Sequence, residues 1–574
     1  MNKFLSVAFA FALSLGAQAQ DQQIKLSFLE TSDVHGNYLP YDFIKGEPGE
    51  GSMSRIYTYV KELREKQGKE SVILLDNGDI LQGQPTAYYY NYIDTKSTHL
   101  TAQIFNYMEY DACAIGNHDI EAGHDVYDRW VSQCKADMLG ANIIDINTGR
   151  PYWKPYTILE RKGLKIAILG MITPAIPQWL PENLWKSLCF DDLVETARHY
   201  MPEMKKQADI VIGVFHSGVG KDNETRMGAE QASVSVAKQV PGFDIVFCGH
   251  DHRLANRMVA NCEGDSVLVI NPAANAHYVA QGDLTVTLNN KKVVNKKVTG
   301  TLVPVDGLEP DADFLQHFNQ ELEAVKSFTN EQIGTNSTTL ETEPAFFGSS
   351  AFIDLIHKLQ LNISKADISF VAPLAFDATI PAGNIYVRDM FNLYRYENML
   401  YVMKLTGQEI KDYLEYSYAG WTQQMSGADD HLLLFRKNPE KIEEAWQRLQ
   451  TPSYNFDSAA GIIYTVDVRK PAGQKINIKS MADGTPFSLK KTYRCAINSY
   501  RGNGGGGLLT QGAKIKSEDL KSRIVWSTDK DLRYYLMMSI RDMKAIHPEP
   551  MNNWKFIPED WVKAARIRDA KLLK

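Results

Sequence analysis

Five short apolar runs in this chain each end in a polar loop carrying Asp, Asn or His. The loops read Thr31-Ser32-Asp33-Val34-His35-Gly36, Asn77-Gly78-Asp79, Gly116-Asn117-His118-Asp119, His216-Ser217-Gly218 and Gly249-His250-Asp251-His252. Carboxylate, amide and imidazole side chains in one place are a ligand set for divalent cations, and two neighbouring cations are the apparatus of metal-assisted hydrolysis. Asp33 and His35 stand two apart, as do His250 and His252; in an extended chain such pairs point to one side and can face one ion. Asp79 follows Gly78 after a β-like run, and its two oxygens can bridge two ions. Asn117 offers a neutral oxygen and His216 an imidazole. The mixed nitrogen and oxygen donors suit zinc or manganese better than calcium. His99, His124 and His199 fall outside this pattern and read as surface residues, while His277 lies after an Asn-Pro turn from which it could approach the site.

These loops need a scaffold that brings five strand ends together. Between about 24 and 303, β-like runs at 24–29, 72–75, 166–169, 210–215, 245–247 and 267–270 alternate with amphipathic stretches at 53–66, 101–109 and 193–207. That alternation describes an α/β domain whose ligands sit past the carboxyl ends of its strands. At 574 residues the chain exceeds the size of one hydrophobic core. A break at 304–310 leads through an amphipathic segment, expected as a connecting helix over 306–329, to a second domain at 330–527 and a charged, helical extension at 528–574. There is no internal repeat and no low-complexity segment.

Composition narrows the class. Hydrophobic content of 44% with 10% aromatics is that of a folded globular protein. A net charge of -7, from 62 basic and 69 acidic side chains, excludes a surface built to coat nucleic acid, so no polymer partner is expected. Lys3, the apolar stretch 4–15 and Ala17-Gln18-Ala19 form the three parts of a cleavable export signal over 1–19. The mature chain, 20–574, is then expected to be periplasmic, without a membrane span. The six cysteines are irregularly spaced, with no C-x-x-C pair, which excludes a zinc knuckle. Cys134, Cys189 and Cys262 remain available for disulfides.

The five loops, in this order and spacing, resemble the calcineurin-type metallophosphoesterase superfamily in its exported 5'-nucleotidase branch. The resemblance spans nearly all of 20–574 and implies a four-layer α/β/β/α catalytic sandwich over 20–305 plus a mixed α+β substrate-binding domain. It implies two divalent ions, zinc or manganese first and magnesium, cobalt or calcium as alternatives. One ion would take Asp33, His35, Asp79 and His252, and the other Asp79, Asn117, His216 and His250. It gives His118 the task of stabilising the transition state and assisting the leaving group, oriented by an acid three positions on, here Glu121 where many family members carry Asp.

The second region carries further family motifs, Ile380-Pro381-Ala382-Gly383, Leu393-Tyr394 and Asn498-Ser499-Tyr500-Arg501 before a glycine cluster. In the family two aromatics here sandwich the nucleobase. Tyr500 is one candidate, and Phe456 or Tyr454 the other. The 5'-nucleotidase subgroup carries a phosphate-gripping Arg just before the segment aligned with Ile380, and an Asp in the glycine loop. The stretch 371–378 has no Arg, and Gly506 stands where that Asp would be. The pattern is therefore more similar to the 2',3'-cyclic-nucleotide 2'-phosphodiesterase/3'-nucleotidase subgroup. The expected activity is hydrolysis of 2',3'-cyclic nucleotides and 3'-nucleotides. The alternatives are a 5'-nucleotidase or nucleotide-sugar hydrolase with the same metal site, a thiosulfohydrolase, and a catalytically dead nucleotide binder.

Overall fold

The computed structural model describes residues 22–221 and 226–574. The expected export signal lies outside the described residues. Among those described, no helix is long and apolar enough to cross a membrane.

The first half is built on two six-stranded sheets. In one, Gln22–Thr31 runs parallel to Val72–Asp76 and antiparallel to Tyr278–Asn289, with Lys292–Pro304 outermost on that side and Ala112–Ala114 and Asp137–Leu139 on the other. In the second, the order is Leu254–Ala260, Ser266–Pro272, Ile245–Cys248, Ile210–His216, Leu164–Ile172, Tyr156–Arg161. Period-two alternation explains how the sheets stack, because successive side chains point to opposite faces. Ile73 and Leu75 join Phe28, Ile168, Ile212 and Phe247 in a core between the sheets. Val72 and Leu74, from the same strand, pack with Ile56, Ile104 and Trp130 beneath the helices Met53–Gln67, Leu100–Met108 and His124–Gln133. On the far side, Leu169, Val211 and Val246 meet the helices Leu193–Gln207 and Ser233–Gln239. Strands apolar on both faces are what a doubly covered sheet requires. The result is the expected four-layer α/β/β/α arrangement.

Segment 306–329 forms two helices, Ala312–His317 and Asn319–Thr329, in place of one, because Phe318 leaves helical geometry between them. Phe314, Phe318 and Val325 are buried in the core of the first half. The second half holds a five-stranded sheet, ordered Ser458–Ala460, Ile368–Val371, Thr492–Asn498, Leu400–Thr406, Ile524–Ser527, with two three-stranded sheets beside it. Residues 528–574 do not form a purely helical extension. Ala545–Ile546 pairs with Gln332–Asn336, and Trp554–Ile557 pairs with Ile462–Asp467. Trp554 and Phe556 alternate inward there, and Trp554 stacks on Tyr464 at 5.7 Å. The six cysteines form no disulfide.

Candidate metal centre and adjoining cavity

The five loops converge at the carboxyl ends of the strands, but the backbone that delivers the side chains is not extended. Asp33, His35, Asp79, His250 and His252 all have φ between 50° and 73°, in the left-handed region. Non-glycine residues held there store strain, which the surrounding fold must offset and which clusters at functional sites. Asp33 and His35 do face one point, by consecutive left-handed turns rather than by strand alternation, while Val34 between them is buried.

Close loop contact holds these turns. A Cβ at Gly78 would lie 2.3 Å from Gly116 N, and one at Gly116 would lie 2.2 Å from Asp79 N and from Asp79 Oδ1. Asp119 is fully buried and accepts the backbone N–H groups of Asp79, Ile80, Leu81 and Gly116 at 2.8–3.0 Å. It clamps the Asp79 loop to the Asn117 loop. Sequence reasoning assigned it no part, although it sits in the Gly-Asn-His-Asp string.

The ligating atoms form two groups with Asp79 in common. Atoms of Asp33, His35, Asp79 and His252 lie within 4.8 Å of one another, as do those of Asp79, His216 and His250. Asn117 joins the second group, its Oδ1 3.1 Å from His216 Nε2. The donor chemistry fits cations. His216 Nδ1 sits 2.6 Å from the Asn77 carbonyl, to which it donates, leaving Nε2 facing two oxygens, Asp79 Oδ2 and Asn117 Oδ1, each 3.1 Å away. His35 and His252 bring their Nε2 atoms within 3.0 Å of each other beside Asp33. Burial, reinforced by His252, pushes the His35 imidazole down to about 4, so it stays a neutral lone-pair donor. Imidazole nitrogens and carboxylate oxygens converging in this way are a donor set that suits a divalent cation.

His118 is not in either group. Its Nδ1 is 2.5 Å from Glu121 Oε2, and its backbone N–H donates to Asp79 Oδ1 at 2.7 Å. Burial disfavours its charged form, but the carboxylates of Asp79 and Glu121 outweigh that and push the imidazole up to about 10. His277 stays away from the centre, paired with Asp306 at 2.9 Å. His99 is fully buried rather than at the surface, its ring bonded to Asn91 at 2.9 Å.

Beside His118 opens a cavity of about 370 Å³ walled by Trp179, Tyr396, Tyr454 and Tyr500. It joins the two halves of the chain at the ligand groups.

A calcineurin-like phosphoesterase model matches residues 26–254, and a 5'-nucleotidase C-terminal domain model matches 329–512. The chain joins these two domains and has the two-domain 5'-nucleotidase fold. It is 28% identical to the 2',3'-cyclic-nucleotide 2'-phosphodiesterase/3'-nucleotidase of Haemophilus influenzae, over 96% of this chain and 89% of that protein. It is also 28% identical to the trifunctional nucleotide phosphoesterase protein YfkN of Bacillus subtilis, over 93% of this chain but only 39% of that longer protein. Among solved structures, the 5'-nucleotidase precursor of Thermus thermophilus aligns with a TM-score of 0.61 at 21% identity, covering 93% of this chain and all of that one. That last likeness is one of fold. The relatives are phosphoesterases and nucleotidases, and this chain is a hydrolase of that class.

Within the 5'-nucleotidase C-terminal domain, the two tyrosines and Phe456 part company. Tyr454 and Tyr500 line the cavity. Phe456 is only 1% exposed and stacks on Trp421 at 5.1 Å, inside the domain core. The 3-10 turn Ser453–Asn455 ends just before it and turns its ring inward. Phe456 is therefore not a base-stacking residue. Trp179, which no sequence motif marks, also lines the cavity and stacks on His250 at 5.4 Å.

Arg501 is a third residue whose part the sequence does not show. It is 1% exposed and binds Asp457 at 2.9 Å, the Tyr454 carbonyl at 2.7 Å and the Gly505 carbonyl at 2.7 Å. One guanidinium thus ties the Tyr454 turn to the glycine loop that follows Tyr500. A Cβ at Gly506 would lie 2.1 Å from Arg501 Nη1, so no side chain fits there without moving that guanidinium. Arg501 stands in the Asn498-Ser499-Tyr500-Arg501 motif, but its pairing with Asp457 and the Tyr454 turn needs the fold.

Proposed function

We propose that this chain is an exported two-metal phosphoesterase that hydrolyses 2',3'-cyclic nucleotides to 3'-nucleotides, and 3'-nucleotides to nucleoside and phosphate. In this reading 1–19 directs export, 20–305 is the catalytic domain and 330–527 binds the nucleotide. The observation that carries it is the junction at His118, where two Asp79-sharing ligand groups meet an aromatic cavity suited to a base. The similarity to the Haemophilus influenzae 2',3'-cyclic-nucleotide 2'-phosphodiesterase/3'-nucleotidase supports the choice of substrate.

Asp33, His35, Asp79 and His252 would hold one divalent ion, and Asp79, Asn117, His216 and His250 the other. When bound, such ions, zinc or manganese by donor type, would supply a nucleophile from water near neutral pH and neutralise phosphate charge. The chain's own residues do the rest. Tyr454 and Tyr500 hold the base by stacking, which tolerates several bases because every base has a π-face. His118, oriented through Nδ1 by Glu121, presents Nε2 to the leaving ribose oxygen and gives it a proton as the P–O bond breaks.

The test is release of phosphate and nucleoside from 2',3'-cyclic AMP, 3'-AMP and 5'-AMP, after chelation and after adding back manganese or zinc. Turnover of the first two that vanishes on chelation, with 5'-AMP poor, is expected. Preference for 5'-AMP would favour the 5'-nucleotidase reading with the same ligands.

A further inference from the structure

The reaction centre opens into two lobes. The first is the aromatic cavity of about 370 Å³; the second is larger, about 710 Å³. His118, His250, Leu374, Tyr396 and Tyr454 line both. From that junction the lobes diverge. Asn117, Glu121 and Tyr500 border only the first, whereas His35, Asp79 and His252 border only the second. A mononucleotide bound as proposed sets its base in the first lobe and its phosphate at the junction. It leaves most of the second lobe unfilled.

That lobe is furnished for a ligand. Arg395 lines it as its one arginine, and no lysine does. Arg395 is exposed, and among the described residues no hydrogen bond or ion pair engages its guanidinium. Trp446 lines the same lobe and is 51% exposed, a large apolar surface left facing water. It rides on the 3-10 turn Ala445–Arg448, which Arg448 anchors through the carbonyls of Ile442 at 2.8 Å and Leu572 at 3.2 Å. An anchored aromatic and an unpaired guanidinium in one cavity recognise a planar ring and an anionic group. Asp377 also lines the lobe and disfavours a ligand that is anionic throughout.

We propose that the second lobe is a subsite for a second nucleotide unit, so that the chain also cleaves linear 3',5'-dinucleotides carrying a 3'-terminal phosphate. The inference rests on the phosphoesterase reading above. The first nucleoside would occupy the aromatic lobe, the second base would lie on Trp446, and the terminal phosphate would meet Arg395. One water is consumed: its oxygen bonds to the bridging phosphorus, the bond from that phosphorus to the first ribose 3'-oxygen breaks, and that oxygen takes the proton. The products are a nucleoside and a nucleoside 3',5'-bisphosphate.

The experiment compares ApAp, ApA and 3'-AMP, with products separated by chromatography, in the metal-loaded protein and in Arg395→Ala and Trp446→Ala. The expected first products from ApAp, read at low conversion because the bisphosphate is itself a 3'-nucleotide, are adenosine and adenosine 3',5'-bisphosphate. Arg395→Ala should lower kcat/KM for ApAp by about 10- to 100-fold, the range for a charge-assisted contact. It should alter 3'-AMP turnover less than about threefold, the scale of a site with no such contact. Trp446→Ala should lower ApAp and ApA together, by about 10-fold as for loss of one stacked base. A second readout needs no turnover. Metal-free protein should bind ApAp with a neutral methylphosphonate bridge, and Arg395→Ala should weaken that binding about 10-fold. Hydrolysis of 3'-AMP with only ApA and phosphate released from ApAp would overturn the subsite and leave the proposed function standing. Failure to hydrolyse 3'-AMP would overturn both.

Discussion

At the scale of single residues, the centre depends on a few side chains whose neighbours set their charge. His118 stands between Asp79 and Glu121, and both carboxylates favour its imidazolium. His118→Ala should lower kcat by about 10²- to 10⁴-fold, the usual range for a positioned proton donor. Glu121→Gln keeps a partner for Nδ1 but removes the charge, so it should cost less than His118→Ala. Steady-state kinetics on 2',3'-cyclic AMP check both, and equal losses would mean Glu121 does more than orient. Another buried imidazole governs stability. His357 in the second half lies between Ser369 Oγ at 2.9 Å and Ser458 Oγ at 3.2 Å, and burial lowers it from 6.5 to about 3. Its folded form stays neutral where the unfolded chain takes up a proton. Its contribution is therefore complete above pH 6.5 and is lost as pH falls toward 3, at about 1.4 kcal/mol per pH unit before other groups are counted. His357→Gln should flatten the fall of melting temperature between pH 6.5 and 4, measured by calorimetry.

At the scale of elements, the loops matter more than the strands that carry them. Strands with both faces apolar could be recognised as buried from their residues, and they set the carboxyl edge on which the site stands. The left-handed turns at Asp33, His35, Asp79, His250 and His252 were not legible, since no local residue pattern separates them from an extended D-x-H or H-x-H. The Asp79 turn persists because Asp119 and the two glycines clamp its loop from behind. The Asp33 and His35 turns hang from that loop, their N–H groups donating to the Gly78 and Asp79 carbonyls at 3.0 Å, and the His250 N–H donates to Asp33 Oδ2 at 2.9 Å. Gly116→Ala sets a Cβ against Asp79 backbone and carboxylate. It should weaken metal binding and destabilise the protein by about 1–3 kcal/mol. Isothermal titration with manganese, alongside urea unfolding, checks this; unchanged affinity would show that the Asp79 loop can give way.

At the scale of the whole molecule, both halves build the cavity. Asn503 Nδ2 donates to the Trp179 carbonyl at 3.1 Å, Lys521 pairs with Glu182, and Tyr88 reaches Asp531 at 3.4 Å. Arg533 packs over Tyr88 at 5.2 Å and over Phe391 at 4.2 Å. These contacts tie the two halves together around the cavity that Trp179 and Tyr500 line. If the halves must separate for loading, a thiol cross-linker joining Glu182→Cys to Lys521→Cys, in a Cys262→Ser background, should abolish turnover. A cleavable linker should restore it on reduction. Full activity while cross-linked would show that substrate enters with the halves held together.

What the chain's residues determined by themselves was the candidate ligand set and the class of fold. Each candidate ligand lies within a few positions of a strand end, so short-range sequence carries both the element and its chemistry. The order of five such loops then marks the family. What only the tertiary structure decided was every choice that depends on residues far apart. Tyr454 rather than Phe456 faces the cavity because a 3-10 turn and Trp421 draw the phenylalanine inward. Arg501, Arg395 and Trp446 gain their places from segments far along the chain from the five polar loops. A side chain's type limits what it can do, but its neighbours across the fold determine whether it reaches a substrate.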